Sequence, residues 1–197
     1  MAINLGRPQE NQPTKIWIGI NIEFVQPTKT LFQRIFNLSD SPKELDFDIC
    51  VIAIDKNKKM PNDNCFVFYK QPSSIGINID TFQESPIAPE FDEIVSVNFS
   101  KISSEINSLK FILSNHRDEL LENWKLSFFV YDQPIWTLPS GKELIYFQIE
   151  PTVKFNLIEL FEIHLSKKHF EWALEVLQNP ILLSEQSNLC EYIKLHT

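Results

Sequence analysis

Apolar and polar positions alternate with a period of two along most of this chain, the pattern of half-buried strands. In residues 15–21, Ile16, Ile18 and Ile20 share one face and Trp17 takes the other. Residues 47–54 are more uniformly apolar, as a strand in the core of a sandwich would be. The series continues through residues 65–69, 93–99, 109–114, 124–131, 143–149, 158–165 and 168–177, rich in the β-branched and aromatic side chains that suit a pleated surface. Nine such segments with short connections predict an all-β, two-sheet sandwich, because few links could hold the crossover helix that a parallel sheet needs. Helical spacing is confined to short stretches. Leu31, Ile35 and Leu38 form one, and Leu120, Leu121 and Trp124 another. After Asn179-Pro180, the recurrence of Leu189, Tyr192 and Ile193 predicts an amphipathic helix over about 184–195, folded back on the sandwich or docked on another subunit. The expected organisation is a sandwich over residues 1–180 and a helical tail over 181–197. Residues 71–89, bearing several prolines, read as a long loop without strong periodicity.

Composition narrows the function. The 197 residues are 43% hydrophobic, include 16 Phe and 4 Trp, and carry a formal net charge of -8, so they can build one substantial core and oppose non-specific binding to nucleic acid. Cations or basic protein surfaces are the better partners. Three cysteines, Cys50, Cys65 and Cys190, form no C-x-x-C pair, and the first two lie in apolar runs as buried thiols would. Neither a signal peptide nor a run of ~20 apolar residues is present, which makes a reducing cytoplasm the expected location. Four glycines exclude the phosphate-cradling loops, and His116, His164, His169 and His196 have no readable nucleophile or zinc partners.

The acidic residues are placed more suggestively. In Leu45-Asp46-Phe47-Asp48, Asp46 and Asp48 point to one side of a strand. Phe66-Val67-Phe68-Tyr69 reads as its hairpin partner, and Asp92-Glu93 opens a third strand. The third strand is expected to run antiparallel beside this hairpin, so that Asp46, Asp48, Lys70, Gln71, Asp92 and Glu93 gather at one rim of a sheet, where the repulsion must be relieved by a metal ion, a lysine or water. Calcium, which takes six to eight oxygen ligands, suits such a cluster, with Asp80 or Glu84 of the loop as further sources. Paired acids could also serve glycoside hydrolysis, but no sugar-binding cleft is readable.

At these residues the sequence resembles the tellurium-resistance (TerD) stress-response family. The resemblance rests on Leu45-Asp46-Phe47-Asp48, on Asp63-Asn64-Cys65-Phe66-Val67-Phe68-Tyr69, and on Phe91-Asp92-Glu93-Ile94 leading into Val97-Asn98-Phe99-Ser100-Lys101-Ile102. It implies a calcium-binding β-sandwich without enzymatic activity, associated with resistance to tellurite, other stresses or phage. Its partners would be other tellurium-resistance or stress-response proteins. Carried over by motif, the metal ligands are Asp46, Asp48, Asp92 and Glu93. The family's paired asparagines are replaced by Lys70 and Gln71, and its glycine-rich acidic loop by residues 83–93, so the expected site is degenerate, holding one weakly bound calcium or none. A metal-independent interaction adaptor, using the 71–89 loop, the turn around Trp136 or the C-terminal helix, is the alternative. A carbohydrate-binding sandwich is the second.

Overall fold

The computed structural model describes residues 13–24, 47–80, 91–115, 124–134, 143–149, 157–166, 171–181 and 189–195. Two antiparallel sheets face each other, as the alternating pattern requires. In chain order the strands are β1 (Lys15–Phe24), β2 (Phe47–Ile54), β3 (Phe66–Val67), β4 (Ser73–Ser74), β5 (Ile77–Asp80), β6 (Glu93–Asn98), β7 (Ser108–Asn115), β8 (Trp124–Tyr131), β9 (Glu143–Ile149), β10 (Leu157–Ser166) and β11 (Glu171–Ile181), followed by helix α1 (Leu189–Lys194). One sheet has the order β4-β5-β6-β1-β8-β9 and the other β11-β10-β7-β2-β3. The helices expected around residues 30–38 and 116–124, and the Trp136 turn, lie outside the described residues, except that Trp124 opens β8.

Period two sorts each strand into an inner and an outer face. Ile16, Ile18, Ile20 and Ile22 of β1, with Ile49, Val51 and Ala53 of β2, enter the core between the sheets. That core is centred on phenylalanines: the rings of Phe111 and Phe161 stack at 4.3 Å, and those of Phe128 and Phe147 at 4.7 Å. Aromatics that could have formed a ligand platform are therefore largely consumed in packing. Trp17, Phe91, Ile94 and Tyr131 form a separate cluster on the outer face of the six-stranded sheet. There the Phe91 ring lies against Gly19, where an added Cβ would come within 2.6 Å of it.

Residues 71–89 are not one long loop. Ser73 pairs with Asn78 and Ser74 with Ile77, and Ile77–Asp80 extends the sheet by pairing with β6. The hairpin turns through Ile75 at φ 43° and Gly76 at φ 87°, the positive φ values that let a two-residue turn follow strand twist. A Cβ on Gly76 would meet the Asn98 carbonyl oxygen at 2.7 Å. Gly76→Ala is expected to cost ~1–2 kcal/mol, read as a lower urea midpoint at unchanged slope.

Candidate functional site

The described acidic residues do not line the rim of one sheet but are divided between the two. β2 and β3 pair antiparallel as expected, with Val51 opposite Val67 and Ile52 opposite Phe66. β6 belongs to the opposite sheet, between β1 and β5. The hairpin argument failed at that step because sequence order does not say when the chain crosses from one sheet to the other. Facing sheets nevertheless bring the starts of β2 and β6 close enough for their charges to interact. Asp48 and Asp92 both act on Glu93.

Glu93 is the centre of the cluster. In β6 it alternates with Ile94 and falls in step with Val95 and Val97, whose side chains enter the core, so its carboxyl is carried to the edge of the apolar interior. The side chain is buried, with only 8% of the residue exposed. Its Oε2 is sealed from solvent without a hydrogen-bond partner. Burial, then the negative charges of Asp48 and Asp92, push its pKa up to about 8, since an ionised carboxylate there loses hydration and meets repulsion.

Asp92 precedes β6 and is exposed. Its Oδ2 accepts a 2.6 Å hydrogen bond from the Ile22 N–H, while its own N–H donates to the Ile20 carbonyl at 2.9 Å. The Asp92 carboxylate thus takes over the β1 amide that lies two residues beyond the last β6 pairing, Ile20 with Glu93. Asp48 alternates with the core-facing Ile49 and falls in step with Cys50, Ile52 and Ile54 of the outer face. Its charge also contributes, after burial, to raising the Cys50 thiol. Asp80, at the end of β5, accepts a 2.6 Å bond from Asn78 Nδ2. Asp46 and Glu84 lie outside the described residues. Asp63 opens a single 3-10 turn whose preceding Asn62 accepts from the Asn64 N–H, a turn role and not a ligand role.

Among the described residues, Lys70 forms no ion pair with the acidic side chains. It occupies the tight turn Phe68-Tyr69-Lys70-Gln71, in which Phe68 and Gln71 exchange backbone hydrogen bonds, and its Nζ lies 5.4 Å from the centroid of the exposed Tyr69 ring. Gln71, at the second of the replaced asparagine positions, donates from Nε2 to the Phe66 carbonyl at 3.1 Å.

A hard cation matches this chemistry in part. An orphaned, buried carboxylate oxygen that also feels the negative charges of two aspartates is one that positive charge would stabilise. Among the described residues, however, no group of three or more His, Cys, Asp or Glu side chains is gathered closely enough to hold a metal ion. Any ion at Glu93 therefore needs oxygens beyond these side chains, such as Asp46 or backbone carbonyls.

A polar cluster without a sequence signature occupies the outer face of the five-stranded sheet. Lys110 Nζ lies 2.9 Å from Glu159 Oε1, and the Tyr192 hydroxyl of α1 donates to that same oxygen. The three residues come from distant parts of the chain and only β7–β10 pairing and helix docking unite them.

Comparison with known proteins bears on the sandwich and its motifs together. The TerD domain family matches residues 2–174. This chain belongs to that family. No curated protein matches it. Among solved structures, it is similar to a homologue of the telluride resistance protein TerD from Streptomyces coelicolor, with 11% identity, a TM-score of 0.61, and coverage of 92% of this chain and 96% of that one. It is also similar to SAV2460, described as a protein of unknown function, with 10% identity, a TM-score of 0.58, and 92% and 95% coverage. At such identities the likeness is one of fold. The TerD match ends before α1, which lies wholly beyond residue 174. No helix among the described residues is long and apolar enough to cross a membrane.

Proposed function

We propose that this TerD-family protein is a non-catalytic binding module of the stress response, for tellurite resistance or phage defence, with one weak calcium site. The reading rests on the unpartnered, buried Glu93 Oε2 between the charges of Asp48 and Asp92. Glu93, Asp48 and Asp92 would hold the ion with Asp46. Calcium would supply the charge that lets Glu93 ionise at the sheet edge, tying the two sheets together at that end. The protein would work in the cytoplasm, beside other tellurium-resistance or stress-response proteins.

Calorimetric titration is expected to give one calcium per chain, with a dissociation constant on the order of 10⁻⁴ M or weaker. Glu93→Gln should abolish the heat signal. Saturating calcium at about one hundred times that constant should stabilise the fold by about 2.7 kcal/mol, reversed by chelator. Tight binding of two ions would overturn the reading. The metal-independent adaptor is favoured by one observation, the lack of a three-ligand group among the described residues. On that reading calcium changes neither heat nor unfolding temperature.

A further inference from the structure

The outer face of the six-stranded sheet changes character along β1. Its register sets Gly19 of β1, Phe129 of β8 and Tyr146 of β9 side by side, and two residues further along it sets Asn21, Ser127 and Gln148 side by side. The first row is aromatic. Phe91 fills the space above Gly19, its ring lies 5.5 Å from that of Phe129, and Phe129 lies 4.8 Å from Tyr146. Phe91 is buried and Phe129 partly so, but Tyr146, at the end of the row, leaves 44% of its surface to solvent.

The second row is polar and neutral. Asn21 and Gln148 are exposed amides on either side of Ser127. Gln148 Nε2 donates to Ser127 Oγ at 3.2 Å, which fixes that amide against the sheet. Three adjacent strands span about 10 Å, and the two rows lie about 7 Å apart, the rise of two residues along a strand. The charges that border the polar row are engaged within the chain. Lys125 Nζ lies 3.8 Å from Glu23 Oε2, and the Asp92 carboxylate accepts from the Ile22 N–H.

An exposed aromatic ring beside planar amides complements a pyranose, which has an apolar C–H face and a rim of hydroxyls. The negative face of the tyrosine ring suits the C–H bonds, and each amide offers two donors and an acceptor to the hydroxyls. Neither row supplies a counter-charge for an ionic ligand. We propose that the outer face of β1, β8 and β9 is a binding platform for a neutral oligosaccharide, with Tyr146 stacked on one sugar ring and Asn21 and Gln148 hydrogen-bonded to hydroxyls of that ring and the next. The platform uses none of the residues that would hold calcium and needs no ion, so it stands or falls apart from the calcium reading.

The test is a two-dimensional NMR titration of the full chain, in the presence of chelator, with maltohexaose, cellohexaose, mannohexaose and chitohexaose in turn. At least one is expected to shift the amide signals of residues 19–21, 127–129 and 146–148 saturably. Tyr146→Ala should weaken that binding about tenfold, and Gln148→Ala about threefold to tenfold. Tyr146→Phe, which keeps the ring, should bind as the wild type does. If Tyr146→Ala lowers the melting temperature, Tyr146→Leu, which keeps apolar bulk without a ring, takes its place. No response to any of the four sugars overturns the proposal, as do shifts confined to other strands or an affinity that loss of the Tyr146 ring leaves unchanged.

Discussion

Glu93→Gln is expected to make the ion-free protein more stable at pH 8 while removing its response to calcium. In the folded chain the Glu93 pKa is raised from 4.5 to about 8, so the group keeps its proton over a range in which the unfolded chain has lost it. Below about pH 4.5 both states are protonated and the residue imposes no penalty. Between pH 4.5 and 8 the folded state binds more protons than the unfolded state, and stability falls as pH rises. At pH 7 the cost is about 3 kcal/mol, as an upper bound, at 1.36 kcal/mol per pKa unit. Glutamine has no charge to lose. The stability difference between variant and wild type should grow from near zero at pH 4.5 to its maximum around pH 8, which urea unfolding at a series of pH values would read directly. A flat difference would mean that Glu93 finds a compensating partner. The native residue is thus a local liability for stability without an ion, the kind of cost tolerated where binding needs the group.

How far this cluster could be read beforehand depends on which physical signal each part carried. Alternation in Ile16-Trp17-Ile18-Gly19-Ile20 and in Glu93-Ile94-Val95-Ser96-Val97 sorts residues into two faces, one of which enters the core between the sheets, and so the sandwich and its core were legible even though both faces are buried. Sheet membership was not. Nothing in residues 47–54 or 93–98 tells whether the two strands are neighbours or face each other, and both arrangements bring Asp48 towards Glu93. The β4–β5 hairpin was hidden for a different reason. Ser73 and Ser74 are poor strand formers, and Ile77 and Ile79 give only two alternations. Gly76, preceded by an isoleucine in place of the usual Asn or Asp, does not announce a turn with two positive φ values. A substitution at a ligand position does not say where a long side chain rests, and the Lys70 ammonium lies 5.4 Å from the centroid of the adjacent Tyr69 ring.

The contact that no local pattern reveals supports the second large prediction. Lys110 and Glu159 are both largely buried, with side-chain exposures of 12% and 14%, and the Tyr192 hydroxyl shares the Glu159 oxygen. Lys110→Met would leave the carboxylate with the tyrosine hydroxyl but without its cation, and breaking one half of such a pair costs on the order of 3 kcal/mol. For a chain of this length that corresponds to a fall of roughly 6–12 °C in melting temperature, at roughly 2–4 °C per kcal/mol. Glu159→Leu alone should cost a similar amount, because it strands the ammonium and removes the acceptor of Tyr192. The double variant Lys110→Met with Glu159→Leu should recover most of the loss, since neither charge then remains to be hydrated and apolar neighbours such as Ile112 and Leu157 are close at hand. Tyr192 would still lose its hydrogen bond to Glu159 in that background, so recovery should be incomplete. Strictly additive single-variant losses would show that Lys110 and Glu159 contribute independently, and that the polar cluster beneath α1 is a coincidence of packing and not a coupled unit.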